Sequence, residues 1–160
     1  ALFSLSCYNC ELGSLDLSNN TELEEAVVKN NELTSLTVSS NTKLLLLDVQ
    51  NNEQLKSIDA SMLTDLEELQ CSYTGLTTLD VTYNTKLVKL ICSNNKLTTL
   101  DLSKNTLLER LFCDGNQLTS LDLSNNTKLN YLECSASLGL LIPAMNIFTL
   151  VGVVEHLGRL

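Results

Sequence analysis

The chain has 160 residues, 44% of them hydrophobic, and a formal net charge of −9. That length supports one domain with a substantial core, and a surface this acidic repels phosphates, which argues against nucleic acid and anionic membranes as partners. Aromatic residues make up 4% of the chain and tryptophan is absent, so little material is left for a cofactor pocket and we expect no cofactor.

One sequence pattern returns along almost the whole chain. In residues 87–97 it reads Leu87-x-x-Leu90-x-Cys92-x-x-Asn95-x-Leu97, and it recurs every 21 residues with a single 22-residue step. One extra residue within Glu53-Gln54 explains that step. Seven rows align on an anchor column of Cys7, Val28, Val49, Cys71, Cys92, Cys113 and Cys134. Three residues after each anchor stand Cys10, Asn31, Asn52, Thr74, Asn95, Asn116 and Ser137.

A second half-repeat lies between the anchors and reads LTTLDLSKNT at residues 97–106. It has its own asparagine column, which Leu63 interrupts once, at Asn20, Asn41, Asn84, Asn105 and Asn126. In both halves leucine alternates with polar residues at spacing two, which predicts short strands with one face inward. A 21-residue unit is too short for a strand, a regular helix and two turns, so we predict a strand, a turn, a strand-like return and a turn.

The form L-x-x-L-x-(L/C)-x-x-(N/C)-x-L resembles the leucine-rich repeat from residue 2 to about residue 137. Its two halves resemble the short-repeat variety of bacterial surface and secreted proteins. The resemblance implies a β-rich, right-handed solenoid of about seven coils over residues 1–137, with parallel strands. It also implies a recognition scaffold that is not an enzyme and that is secreted or lies on the bacterial cell surface.

The asparagines and cysteines are expected to serve the fold. An inward Asn has donors and an acceptor for turn backbone groups in its own coil and the next, so stacked asparagines would form a ladder inside an apolar interior. The four cysteines from Cys71 to Cys134 occupy an inward position that holds Val in other rows, where a thiol acts as a small hydrophobe. One Cys per coil and a single histidine, His156, cannot converge on a metal, so no metal site and no catalysis are predicted.

The two outer faces differ in variability. On the second half-repeat one outward column is Asp in five of six rows, flanked by columns of Ser and Thr, and we interpret it as a solvated face. Cation binding and ice binding are alternatives, but one Asp per coil offers few converging oxygens. On the first half-repeat the outward columns vary freely. By the family resemblance this strand lines the concave, partner-binding surface, and the predicted ligand-binding residues are Lys89, Ile91, Arg110, Phe112 and Tyr131.

That face predicts a protein partner, with a glycan as an alternative ligand. The rival interpretation is a structural spacer, or a stalk segment of a larger secreted or surface protein, with no ligand of its own. Because Leu2 already lies on the pattern, we also expect a partner, or coils further upstream, to cover the first coil.

The tail, residues 138–160, leaves the pattern. Residues 135–154 contain no charge, and Pro143 is placed to open a helix. Its predicted apolar stripe is Ile147, Leu150, Val151, Val154 and Leu157. A cap over the last coil is the prediction. A membrane span, which Pro143 and Asn146 argue against, a self-association surface, and sequence foreign to the array are the alternatives.

Overall fold

The computed structural model describes residues 1–134, in which nine three-residue strands form two parallel sheets. The main sheet has seven strands in the order β1-β3-β5-β6-β7-β8-β9, and β2 and β4 form a two-stranded sheet. The strand bounds are β1 Ser4–Ser6, β2 Ser14–Asp16, β3 Glu25–Val27, β4 Ser35–Thr37, β5 Leu46–Asp48, β6 Glu68–Gln70, β7 Lys89–Ile91, β8 Arg110–Phe112 and β9 Tyr131–Glu133.

The strands of the main sheet stack one coil above the next without a register slip. Leu90 of β7, for example, lies opposite Leu69 of β6 and Leu111 of β8. Equivalent positions of the repeat therefore become neighbours in space, and the leucine columns merge into one continuous core. Each fully buried leucine contributes about 1.5–3 kcal/mol. The predicted parallel-strand solenoid with a 21-residue period is confirmed.

The asparagines three residues after the anchors point into this core, as predicted. Asn52 is representative: its Nδ2 donates to Val49 O at 2.8 Å in its own coil and to Val28 O at 3.1 Å in the preceding coil. Its Oδ1 accepts from the Leu33 N–H of the preceding coil at 3.1 Å. We call this set the first asparagine column: Asn31, Asn52, Asn95 and Asn116.

The predicted bond within the amide's own coil is present, but the predicted bonds to the next coil are wrong, because the amide reaches back to the preceding coil instead. The cause is the direction in which alternate backbone groups of the turn point. Glu32 N–H donates back to Leu12 O of the preceding coil at 3.0 Å, whereas the N–H of the next residue, Leu33, points toward the following coil. The side-chain acceptor for Leu33 N–H therefore comes from the coil that follows it.

The break in this column at Thr74 coincides with the extra residue in the coil before it. In that longer coil Leu55 N–H donates to Asn52 O at 2.9 Å, within its own turn. The equivalent N–H of the other coils, such as Leu76, donates to an asparagine Oδ1 of the following coil, here Asn95 at 3.0 Å. Since Leu55 needs no such acceptor, a Thr suffices at position 74, where its Oγ1 donates to Cys71 O at 2.7 Å.

The second asparagine column bonds less completely. Asn105 Nδ2 donates to Val81 O at 3.0 Å and to Asn84 O at 2.9 Å, both in the preceding coil. The Oδ1 atoms of the buried members have no hydrogen-bond partner, namely those of Asn41, Asn84, Asn105 and Asn126. Leu63, which interrupts this column, is fully buried, and its carbonyl still accepts from Asn84 Nδ2 at 2.8 Å.

The predicted strand-like return forms regular strands only in the first two coils, as β2 and β4. The predicted cap at 138–160 and the domain boundary at residue 137 lie outside the described residues, so both stay predictions. Within residues 1–134, no helix of bilayer-spanning length and apolarity is found.

Replacing Asn95 by Ala removes three hydrogen bonds, to Cys71 O, Cys92 O and Leu76 N–H. We expect the free energy of unfolding to fall by about 3 kcal/mol, because these backbone groups stay buried without partners. Denaturant unfolding monitored by circular dichroism measures the change. Asn125→Ala, at an exposed position outside both columns, is the control and should stay within about 0.5 kcal/mol of wild type.

Asn105→Ala should cost less than Asn95→Ala. The Asn105 side chain bonds to two carbonyls and its Oδ1 has no partner, so its removal leaves fewer groups unsatisfied. We expect a loss of about 1–2 kcal/mol in the same unfolding assay. An equal or larger loss for Asn105→Ala would contradict the unequal bonding of the two columns.

Candidate binding face

The five predicted site residues come together at the C-terminal end of the main sheet. Lys89, Arg110 and Tyr131 are register partners on β7, β8 and β9, and Ile91 lies opposite Phe112. Each flanks an inward leucine in its own strand, so all five side chains leave the outer side of the sheet. We call this set the variable face patch.

The centre of the patch is an aromatic pair. The ring centroids of Phe112 and Tyr131 are 4.7 Å apart with a 30° tilt between the ring planes. Tyr131 Oη donates to Glu133 Oε2 at 3.3 Å, and burial, followed by the Glu133 charge, raises the pKa of the Tyr131 phenol. Ile91, Phe112 and Tyr131 are partly buried, because they shield one another along the stack.

The two cations of the patch differ in availability. Lys89 Nζ lies 2.7 Å from Glu68 Oε1 in an ion pair whose side chains are both about a quarter exposed. Arg110 is exposed, and within residues 1–134 it has no ion-pair partner. Of the two cations among the predicted ligand-binding residues, Arg110 is therefore the one free to meet an incoming carboxylate.

A polar chain that the sequence analysis missed occupies the coils before the patch. Gln50 Nε2 donates to Asp48 Oδ1 at 3.2 Å and to Gln70 Oε1 at 2.6 Å, and Gln70 Nε2 donates to Glu68. Lys29 Nζ lies 3.7 Å from Asp48 Oδ2 at the N-terminal end of this chain. The sequence could have indicated this chain, because side chains that can hydrogen-bond or form ion pairs with one another stand in adjacent rows of the repeat. The face thus divides into a self-satisfied polar half and an apolar half.

The aspartate column on the opposite side has a local structural role. The Oδ1 of Asp101 accepts from the Ser103 N–H at 2.9 Å, and the same bond occurs at Asp16, Asp59, Asp80 and Asp122. These hydrogen bonds lower the pKa of each carboxyl. Within the described residues no three potential ligands converge on a metal position. The column therefore closes turns on an exposed face.

The anchor cysteines are buried thiols. Cys71, Cys92 and Cys113 are buried, and all six cysteines of the chain are free. Burial raises the pKa of Cys71 to about 12 and that of Cys92 well above its ordinary value. A protonated thiol is neither a nucleophile nor a metal ligand, so these side chains act as core hydrophobes. The anchors at the two ends of the described stack, Cys7 and Cys134, are only partly buried, and Cys10, which lies outside the anchor column, is exposed.

The fold and its outer face define a class before any comparison: a parallel β-solenoid with an amide-bonded interior and one diversified strand face. Comparison with solved structures narrows the class of protein to which this chain belongs. The chain superposes on the functional domain of InlJ from Listeria monocytogenes, which is described as including a cysteine ladder, with a TM-score of 0.84 and 40% identity. The match covers 93% of this chain and 32% of that one.

Two further solved structures share the fold. A leucine-rich-repeat protein of Leptospira interrogans matches at 25% identity and a TM-score of 0.74, over 84% of this chain and 36% of its own. The internalin InlF of Listeria monocytogenes matches at 22% identity and a TM-score of 0.73, over 95% of this chain and 47% of its own. Neither a protein-family model nor a curated protein matches the sequence. The chain is a leucine-rich-repeat protein of the 21-residue type, and it spans a third to a half of the length of these proteins.

Replacing Cys71 by Val, the residue at two other anchors, should leave stability at pH 7 nearly unchanged and reduce its loss in alkali. The folded-state pKa of Cys71 is raised to about 12 from 9.0, so the native thiol contributes stability that is complete below about pH 9 and is lost as pH rises toward 12. One such group costs about 1.4 kcal/mol per pH unit in that window.

Urea unfolding at pH 8 and pH 10 measures this difference, with Asn125→Ala, at an exposed position, as a control that should keep the wild-type pH dependence. An alkaline loss in Cys71→Val equal to that of wild type would contradict the burial of a protonated thiol.

Proposed function

We propose that this chain is a non-enzymatic recognition scaffold that binds a protein partner through the variable face patch. The observation that carries the proposal is the contrast between two sides of the same strands. The inward side repeats with few exceptions, whereas the outward side changes from coil to coil and ends in an apolar, aromatic centre beside an unpaired arginine. Packing of a solenoid does not require such diversity.

The chemistry of the patch suits a protein interface. Aromatic residues and Arg dominate the residues whose truncation weakens binding most. Phe112 and Tyr131 are held against each other, so little side-chain entropy is lost when a partner covers them. An acidic or amide-bearing segment opposite Arg110, with an apolar side chain over Phe112, is the complement that this patch fits.

The related solved structures support the same class of function. They are leucine-rich-repeat proteins, a family that typically acts in protein interactions and is generally not enzymatic. Two of them are from Listeria monocytogenes. In keeping with the surface and secreted proteins of this type, we propose a secreted or cell-surface location and regard the asparagine columns as ladders that stiffen the scaffold.

A structural spacer is the second candidate function. The polar chain from Lys29 to Lys89 favours it, because its side chains satisfy one another and leave few groups for a ligand. The uniform aspartate column, whose carboxylates are already bonded within their own turns, also favours the spacer. A spacer would need neither Phe112 nor Arg110 on its surface.

Phe112→Ala and Arg110→Glu separate the two functions. If the patch binds a protein, each should weaken capture of that protein at least about tenfold, while the melting temperature falls by no more than about 2–4 °C because both side chains lie on the outer side of the sheet. The measurement is affinity capture with the immobilised 160-residue chain, followed by surface plasmon resonance on the captured protein.

The matched control is Asp101→Asn with Asp122→Asn, which removes charge from the opposite face and keeps the Oδ1 acceptors of the turns. Equal loss of capture in this control would show non-specific binding. Capture that no substitution on either face alters would favour the spacer and overturn the proposal. A carbohydrate array probed with the same variants tests the glycan alternative.

A further inference from the structure

An open depression, lined mostly by polar residues, lies on the turns that follow β5, β6 and β7, and it shares no residue with the variable face patch. Its volume is about 410 Å³, which is within the range of small-molecule sites. Residues from three successive coils line it: Glu53, Gln54, Lys56, Tyr73, Gly75, Asn94 and Lys96. None of these residues belongs to the hydrophobic core or to either asparagine column.

The departures from the repeat concentrate around this depression. The extra residue falls at Glu53-Gln54, and the row of Lys56 has Gly or Thr in the other coils. Lys96 falls where the first two rows have Glu11 and Glu32, so the charge is reversed. In a repeat protein each coil could follow the common pattern, and insertions map to loops on one face, which is often the binding face. Independent exceptions that meet at one cavity therefore indicate a site.

Tyr73 is the exception with a cost in stability. Its backbone is left-handed, with φ of 56°, a conformation that bulky side chains rarely adopt. The equivalent residues in the described coils are Asn or Gly, which tolerate it: Asn9, Asn30, Asn51, Asn94 and Gly115. Strain of this kind persists where the side chain has a use, and the Tyr73 ring is half exposed at the depression.

The Tyr73 side chain also leaves the Asn94 amide without a side-chain partner in the preceding coil. In the coils before it, Asn51 Nδ2 donates to Asn30 Oδ1 at 2.7 Å across the same outer position. Tyr73 interrupts that pairing, and the Asn94 side chain has no hydrogen-bond partner within the described residues. An amide offers two donors and an acceptor, and here it lines the depression without an internal use.

The lysines give the depression its charge. Lys56 Nζ donates to the Glu53 carbonyl at 2.7 Å, which fixes the ammonium and leaves two N–H donors. Gly75 permits this arrangement, because a Cβ at that position would lie 2.8 Å from Glu53 O and 3.0 Å from Lys56 Nζ. In the part of the chain that the structure describes, neither Lys56 nor Lys96 has an ion-pair partner. Two cations against Glu53 make a positive site on a chain of charge −9.

We propose that this depression binds an acidic saccharide, a sugar that carries a carboxylate. Lys56 and Lys96 donate to the carboxylate, the amides of Asn94 and Gln54 bond to ring hydroxyls, and the Tyr73 ring packs on the apolar face of the sugar. This site is separate from the variable face patch and does not depend on the function proposed for that patch.

The test is calorimetric titration of the 160-residue chain with 3′-sialyllactose, which has a carboxylate, and with lactose, which has none. Wild type should bind sialyllactose about tenfold more tightly than lactose, and Lys56→Gln with Lys96→Gln should remove that difference. Lys104→Gln with Lys128→Gln makes the same charge change at exposed lysines elsewhere and should keep it.

Tyr73→Asn restores the residue of the neighbouring coils. It should raise the melting temperature by about 2–4 °C, since strain is relieved, and weaken sialyllactose binding severalfold. A folded, stabilised variant with reduced binding separates a ligand-contacting role from a structural one.

Equal affinity for the two sugars, or an equal loss in the control lysine pair, would overturn the proposal. So would unchanged sialyllactose binding in Tyr73→Asn. Acetate or a glutamate-rich peptide that binds as tightly as sialyllactose would show that any carboxylate suffices and would also overturn the assignment to a saccharide.

Discussion

Each coil of this solenoid must turn its backbone through an apolar interior, and the turn leaves N–H and C=O groups facing leucine side chains and not water. Unpaired, each such group costs about 1–3 kcal/mol. One inward amide per coil supplies partners for these backbone groups. Asn52 and its equivalents donate to the carbonyls of two coils and accept from a turn N–H of the preceding coil. The stacking of the coils depends on this bond set.

That constraint also explains which surfaces are free to diversify. The inward columns must match from coil to coil because each amide bonds to backbone groups of the preceding coil, so an exception needs a compensating change. The longer coil, which carries the extra residue in Glu53-Gln54, illustrates this, since the Leu55 N–H bonds within its own turn and position 74 no longer needs an asparagine. Outward side chains make no bonds on which the stacking of the coils depends. Phe112, Tyr131 and Arg110 can therefore vary for function without disturbing the stack.

The fold was predictable from the sequence because equivalent residues repeat at a fixed interval, so spacing alone places Leu69, Leu90 and Leu111 in one column. The inward asparagines followed from their hydrogen-bonding capacity. The direction of their bonds did not, because it depends on which N–H groups of the turn face the following coil, which spacing does not encode.

The site was less accessible to the same reasoning. Proximity of Lys89, Arg110 and Phe112 followed from the period, but the pairing of Lys89 with Glu68 and the mutual shielding of Phe112 and Tyr131 depend on side-chain conformation. In the sequence the depression beside Tyr73 is marked only by residues that depart from the repeat. That these residues from three successive coils lie together is visible only in the three-dimensional structure.

Amide hydrogen exchange tests the central bond set most directly. Leu76 and Leu97 N–H donate to the side chains of Asn95 and Asn116, whereas Cys92 N–H donates to a backbone carbonyl of the main sheet. If the asparagine side chains hold the coils together, the Leu76 and Leu97 amides exchange as slowly as that of Cys92. Exchange of those two amides at the rate of exposed turns would contradict the account.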